Sequence, residues 1–162
     1  MKKCVFSGTF DPPTVGHQKI IETCLKLFDE VVAAVMVNPD KEPFLTAEER
    51  RELLEKLFAD DKRVKVITFQ GAAVDVLKQE NTEFYVRGIR NTTDLEYENA
   101  NHYASKKLDD GIITLYIPAE QENIHVSSSL VKTHVRFHKD YSDYIPEKIR
   151  GDFERMAEKK NV

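Results

Sequence analysis

Thr14 and His17 stand three residues apart in the stretch Ser7-Gly8-Thr9-Phe10-Asp11-Pro12-Pro13-Thr14-Val15-Gly16-His17. On one helical turn that spacing brings a hydroxyl and an imidazole together. A short apolar segment, Cys4-Val5-Phe6, precedes the stretch, and Ile20, Ile21, Cys24, Leu25 and Phe28 follow it as the stripe of an amphipathic helix. Strand, glycine-bearing turn and helix start therefore succeed one another. Gly8 lets a ligand approach the backbone closely, and the free N–H groups and positive dipole end of the helix face whatever anion lies there. The pattern predicts a phosphate site with an aimed donor. Without a ligand, the same residues would be a turn in which Asp11 or Thr14 caps a helix and His17 is an exposed first-turn side chain. The dinucleotide fingerprint G-x-G-x-x-G and the P-loop G-x-x-x-x-G-K-[ST] are both absent from the chain.

Other chemistry-bearing groups are scattered further along. Arg87 and Arg90 flank Gly88-Ile89 at a strand end and offer two guanidinium forks; as ordinary surface arginines they would only form salt bridges. Lys41, between Pro39 and Pro43, reads equally as a point charge for a second anion and as a solvated loop lysine. Ser127-Ser128-Ser129 set hydroxyls beside the orphan N–H groups of a helix start, where one of them caps the helix in any case. His134 and His138 are spaced like metal ligands, but no H-E-x-x-H pattern or third ligand accompanies them, so a surface helix face and no metal site is expected. The acidic run Asp94-Leu95-Glu96-Tyr97-Glu98 reads as a solvated face, with Glu98 reaching the site only if the preceding loop is short.

Several cationic or N–H groups, one histidine and no evident nucleophile suit phosphoryl or nucleotidyl transfer between two bound substrates. An attacking phosphate, with a second pKa of about 6, needs no general base. The protein has then to align two polyanions in line and stabilise charge at phosphorus. His17 would donate to the α-phosphate oxygens, and losing such a donor costs about 10²–10³ in rate. Its protonation state stays open, because the helix dipole disfavours imidazolium while phosphates favour it. Mg²⁺ would enter on the triphosphate, without a dedicated protein cage.

The elements that must position these groups alternate. Strands are predicted at Cys4–Phe6, Glu30–Val37, Val64–Phe69, Glu83–Val86 and Ile112–Ile117. Thr46-x-x-Glu49 is a capping box ahead of a helix with Leu53, Leu54, Leu57 and Phe58 on its buried face. Gly71 opens a short helix through Val74 and Leu77, a long helix spans Asp94–Leu108, and a polar loop runs from Ala119 to Val126. Helices follow the serines and Pro146, the last with Ile149, Phe153 and Met156 on its stripe. The alternation predicts a single-domain α/β fold over 1–162: a Rossmann-like, doubly wound, parallel five-stranded sheet with helices on both faces. A C-terminal helical segment at about 127–160 would pack on it. Ligands of such sheets bind beyond the carboxyl ends of the strands. The stretch Thr9–His17, Lys41, the segment Gly71–Ala73, the segment Arg87–Arg90 and the serines should converge there.

Composition excludes other classes. With 162 residues, 41% hydrophobic and 32% charged, the chain reads as an ordinary soluble globular protein. Its net charge of −4 argues against a nucleic-acid coat. No apolar run approaches the roughly 20 residues of a bilayer span, and no signal peptide is expected before the first strand. Cys4 and Cys24 read as buried thiols in a reducing compartment, so a cytoplasmic location and no membrane partner are expected.

With these residues assembled, the chain resembles the bacterial phosphopantetheine adenylyltransferases, members of the nucleotidyltransferase superfamily with a (T/H)-x-G-H signature. The resemblance runs from Phe6 to about Pro146. It rests on GTFDPPTVGH at 8–17, Lys41 between its prolines, EER at 48–50, RGIR at 87–90, DLEYE at 94–98 and SSSLVK at 127–132. It implies transfer of AMP from ATP to 4′-phosphopantetheine, releasing pyrophosphate and dephospho-coenzyme A. By position, Thr9, Lys41, Ala73 and Arg87 would contact phosphopantetheine. Thr9, Phe10, His17, Gly88, Ile89, Arg90, Glu98, Asn123, Ile124, His125, Val126, Ser127, Ser128 and Ser129 would hold ATP. His17 would stabilise the transition state, assisted by Lys41 and Arg90. A homohexamer and feedback inhibition by coenzyme A are implied as well. The chain departs from the family where Asn123-Ile124-His125-Val126 replaces an aromatic-bearing segment before the serines, and where Phe6-Ser7-Gly8 replaces Tyr-Pro-Gly. A cytidylyltransferase or nicotinate mononucleotide adenylyltransferase of the same fold, and a non-catalytic nucleotide sensor, are the rival readings.

Overall fold

The computed structural model describes residues 1–160. Five strands, β1 (Lys3–Gly8), β2 (Glu30–Met36), β3 (Val64–Phe69), β4 (Phe84–Ile89) and β5 (Ile113–Pro118), form one sheet in the order β3-β2-β1-β4-β5. Every pair is parallel. Helices α1 (Val15–Leu27), α2 (Ala47–Leu57), α3 (Ala73–Gln79) and α4 (Thr92–Leu108) make the crossovers. The expected α/β, Rossmann-like, doubly wound sheet is therefore the architecture.

Strand periodicity assigns the faces. Cys4, Phe6, Val31, Ala33 and Val35 point to one side and meet Ile20, Ile21, Cys24 and Phe28 of the α1 segment and Leu54 of α2. Val5, Val32 and Ala34 point to the other and meet Val74, Val76 and Leu77 of α3. Covered on both faces, β1 and β2 are continuous apolar runs with no alternation to betray them. Two further helices, α5 (Ser128–Arg136) and α6 (Glu147–Lys160), pack outside α2 around Leu53, Leu57, Val131, Val135, Ile149 and Phe153. In contrast, α4 buries only Glu98 and exposes Tyr97, Tyr103 and Leu108. None of the described helices is long and apolar enough to cross a membrane.

The chain winds outward from β1 through β2 to β3, then returns to start β4 on the other side of β1. That reversal opens a crevice between the carboxyl ends of β1 and β4. β4 also runs three residues further than its apolar pattern suggests, so Arg87, Gly88 and Ile89 are strand residues that pair with Tyr116, Ile117 and Pro118. The polar loop after β5 contains a 3₁₀ turn at Gln121–Asn123.

Candidate active site

The bend after β1 is built on Phe10, whose φ of 53° places a bulky residue in the left-handed region. Its ring is 1% exposed and packs edge-on against Phe6 at 5.4 Å and His17 at 4.8 Å, which holds the bend in place. Beyond it Thr14 caps α1. The Thr14 hydroxyl accepts the His17 N–H at 3.4 Å, while the Thr14 backbone N–H donates to His17 Nδ1 at 3.0 Å. This is a capping box with an imidazole where glutamate or glutamine normally stands.

The cap fixes the tautomer. A backbone amide can only donate, so Nδ1 is the unprotonated nitrogen and the neutral ring carries its hydrogen on Nε2. Burial, followed by the Arg90 and Arg87 charges, pushes the His17 pKa down to about 4. The question that the sequence left open is thereby answered for the free protein: His17 is a neutral Nε2–H donor held rigidly by its own helix start.

Gly88 brings β4 close to α1, since a Cβ there would stand 2.2 Å from Ile20 Cδ1. Arg87 donates from Nε and Nη2 to both carboxylate oxygens of Glu98, at 2.9 and 2.7 Å, and from Nη1 to the Ser7 carbonyl at 2.7 Å. Arg90 pairs with Asp94, with Nε 3.1 Å from Oδ2, and reaches the Val126 carbonyl at 3.4 Å. The Ala119 N–H donates to the Ile89 carbonyl at 2.8 Å, which leads the 119–127 loop back over the crevice. Ser127 caps α5 by accepting the Leu130 N–H at 3.0 Å, and the Ser128 hydroxyl donates to the Pro12 carbonyl at 2.8 Å. The starts of α5 and α1 are thus tied together.

A cavity of about 380 Å³ results, lined by Thr9, Phe10, His17, Arg87, Gly88, Ile89, Arg90, Glu98, Asn123, Val126 and the three serines, among others. Two helix N-termini, α1 and α5, open on it. Neither has an acidic residue in its first turn, whereas α2, α3, α4 and α6 each have at least one. An acid at that position normally offsets the helix dipole. Its absence from the two starts that share a cavity leaves their positive ends for an external anion. The donor set suits a polyphosphate. Asp94 and Glu98, the carboxylates on the wall, are each paired with an arginine. Among the described residues no group of three or more His, Cys, Asp and Glu could hold a metal ion.

Four expected contacts lie outside the cavity wall: Lys41, Ala73, Ile124 and His125. Lys41 is exposed on the loop after β2, and Ala73 is the first residue of α3, beyond β3. Both strands lie on the far side of β1 from the crevice, so their loops do not line its wall. Ile124 and His125 point outward, and His125 stacks on Tyr144 with ring centroids 5.5 Å apart. The paired-histidine spacing also dissolves: α5 ends at Arg136, and His138 lies beyond it at a φ of 55°. Sequence reasoning missed the buried pair Asp11 and Arg50. Arg50 gave no signal beyond its place in EER, and Asp11 looked like a helix cap.

Fold and site together define a Rossmann-like α/β protein of the nucleotide-binding class, whose switch-point crevice offers donors that suit a polyphosphate. The profile of the cytidylyltransferase-like family matches residues 5–134. The phosphopantetheine adenylyltransferase of Flavobacterium johnsoniae is 37% identical over 150 residues, covering 93% of this chain and 98% of the relative. Its counterpart in Phocaeicola vulgatus is 38% identical over 152 residues, 94% of this chain and 100% of the relative. That of Clostridium kluyveri is 38% identical over 159 residues, 98% and 97% of the two. The chain belongs to the cytidylyltransferase-like family and, within it, to the phosphopantetheine adenylyltransferases.

Proposed function

We propose that this chain transfers the adenylyl group of ATP to 4′-phosphopantetheine, giving dephospho-coenzyme A and pyrophosphate, as a single nucleotidyltransferase domain over 1–162, of which 161–162 lie outside the described residues. The observation that carries the reading is the pair of acid-free helix starts opening on one cavity beside His17 and Arg90. The triphosphate of ATP lies against these starts, with Thr9, Phe10 and the serines around it. Gly88, Ile89, Glu98, Asn123 and Val126 face the nucleoside.

A phosphate oxygen of the acceptor attacks the α-phosphorus of ATP. The new P–O bond forms as the bond to the bridging oxygen of pyrophosphate breaks, and the departing pyrophosphate keeps the electron pair. The attacking phosphate is already ionised, so no side chain takes a proton. His17 donates its Nε2–H to the α-phosphate oxygens as charge builds there, and Arg90 supplies a second cation. Lys41 joins Thr9, Ala73 and Arg87 in holding the acceptor. Mg²⁺ entering with ATP would neutralise part of the phosphate charge. Cytoplasmic location, a homohexamer and inhibition by coenzyme A belong to the same reading. The free, buried Cys4 and Cys24 thiols support the first, and the exposed aromatic residues of α4 support the second.

Pyrophosphate release with each of ATP and CTP, in the presence and absence of 4′-phosphopantetheine, tests the assignment. Release is expected only with ATP plus phosphopantetheine. Release with CTP would make the chain a cytidylyltransferase, and tight ATP binding with no release under any condition would make it a sensor.

A further inference from the structure

Two buried charges that the transfer step does not use meet where the β1–α1 loop touches the loop carrying Lys41. Asp11 is 3% exposed and Arg50 2%. Asp11 Oδ2 accepts the Phe44 N–H at 2.8 Å and Oδ1 accepts the Leu45 N–H at 2.7 Å. Lys132 Nζ lies 3.9 Å from Oδ2 and shares the charge. Arg50 comes from α2 to the same joint. Its Nη1 donates to the Thr9 carbonyl at 2.8 Å and the Met36 carbonyl at 3.2 Å. Its Nε is divided between the carbonyls of Leu45, at 3.2 Å, and Thr46, at 3.3 Å.

The segment between these anchors holds itself by little else. Within it the Asp40 N–H donates to Asn38 Oδ1 at 2.9 Å and the Lys41 N–H to the Asn38 carbonyl at 3.2 Å, and residues 38–43 are exposed. Lys41 therefore stands where Asp11 and Arg50 hold the two ends of its loop. Stability alone is a poor reason for the arrangement, because well-packed apolar residues commonly replace buried charges at no loss. A charged side chain does offer several strong hydrogen bonds to backbone groups of different segments at once. Burial pulls the Arg50 guanidinium down from its ordinary pKa, and the nearby Asp11 carboxylate opposes that shift.

We propose that Asp11 and Arg50 are positioning residues that clamp the Lys41 loop to the phosphate-binding turn, setting the distance between Lys41 and His17 and so the placement of the acceptor phosphate. The proposal rests on the adenylyl-transfer reading for its kinetic consequence, though not for its structural one. A misplacement of about 1 Å between reacting groups costs about 10²-fold in rate, so a loosened clamp falls within the range that kinetics reads easily.

The experiment compares wild type with Asp11→Asn, Arg50→Lys, Lys41→Ala and the Asp11→Asn/Lys41→Ala double variant. Hydrogen–deuterium exchange of the full chain and steady-state kinetics with ATP and 4′-phosphopantetheine are both measured. Asp11→Asn leaves one acceptor oxygen for two amides, so at least one of the Phe44 and Leu45 amides should exchange faster while β1 and β2 stay protected. It should lower kcat/KM for phosphopantetheine about 10- to 10²-fold, with the KM for ATP little changed. In the Lys41→Ala background the same substitution should add less than about twofold, since groups acting through one another are not additive. Arg50→Lys, which keeps the charge and fewer of the bonds, should fall between wild type and Asp11→Asn, and it decides the matter if Asp11→Asn does not fold. Unchanged exchange at Phe44 and Leu45, equal losses for both substrates, or full additivity with Lys41→Ala would overturn the clamp. If wild type releases no pyrophosphate, the adenylyl-transfer reading falls, and the exchange measurement alone decides the clamp.

Discussion

His17 and Glu49 occupy the same position in two capping boxes, Thr14-x-x-His17 on α1 and Thr46-x-x-Glu49 on α2. Both side chains accept an N–H from their cap residue, but only the imidazole keeps a donor on its far side. His17→Gln should therefore retain the cap, since its amide oxygen accepts the Thr14 N–H, and should leave thermal stability near wild type. His17→Ala should lose about 1 kcal/mol of helix capping and about 10²–10³ of turnover, while calorimetric ATP affinity stays close to wild type. Equal losses of ATP binding and rate would remove His17 from the transition state. The depressed pKa has its own consequence. Folded His17 stays neutral down to about 4, whereas the unfolded chain takes up its proton near 6.5. Between those values the unfolded state binds more protons, so this group's stabilisation is complete above about 6.5 and is lost as pH falls toward 4. At about 1.4 kcal/mol per pH unit the loss is at most about 3 to 4 kcal/mol. Denaturant midpoints at pH 7 and pH 4.5 should show a larger drop in wild type than in His17→Gln.

At the scale of elements, the proposed phosphate cradle is the α1 and α5 starts, and the missing acids at their first turns are the observation that supports it. Placing one there should separate stability from function. Ser129→Glu puts a carboxylate in the first turn of α5, where it should stabilise the helix by about 0.3–1 kcal/mol and weaken ATP binding by electrostatic repulsion. Thermal midpoint and ATP dissociation constant should move in opposite senses, and tighter ATP binding would refute the cradle. The α1 half of this arrangement was legible in the sequence, because the glycine turn and the Thr14/His17 spacing stand between an apolar strand and an amphipathic helix. So was the sheet, since runs such as Val31–Val35 have no reading other than a strand buried on both faces. The boundaries of β4 were not, because Arg87 and Gly88 look like loop residues until the Glu98 partner and the approach of Ile20 are seen. The Asp11–Arg50 clamp was illegible for the same reason, as the bonds that tie its two loops together reach backbone groups 33 to 41 residues away.

For the molecule as a whole, the switch point between β1 and β4 decides which loops make the wall. That is why the residues after β1, β4 and β5 enclose the cavity while Lys41 and Ala73, after β2 and β3, do not line it. The outer helix α4 carries Tyr97, Tyr103 and Leu108 in solvent, exposed apolar groups on which a homohexamer would be built. Light scattering should report a hexamer of 18.7 kDa chains, and Tyr103→Glu should shift it toward smaller species. A monomer at micromolar concentration would contradict that assembly. The central claim is the transfer of one particular phosphorus between two bound polyanions. It is tested most directly by following label from ATP carrying ³²P at the α or the γ position in the presence of 4′-phosphopantetheine. The α label should appear in dephospho-coenzyme A and the γ label in pyrophosphate, with both transfers slowed together in His17→Ala. Label from the γ position in the acceptor product, or from neither position, would contradict it.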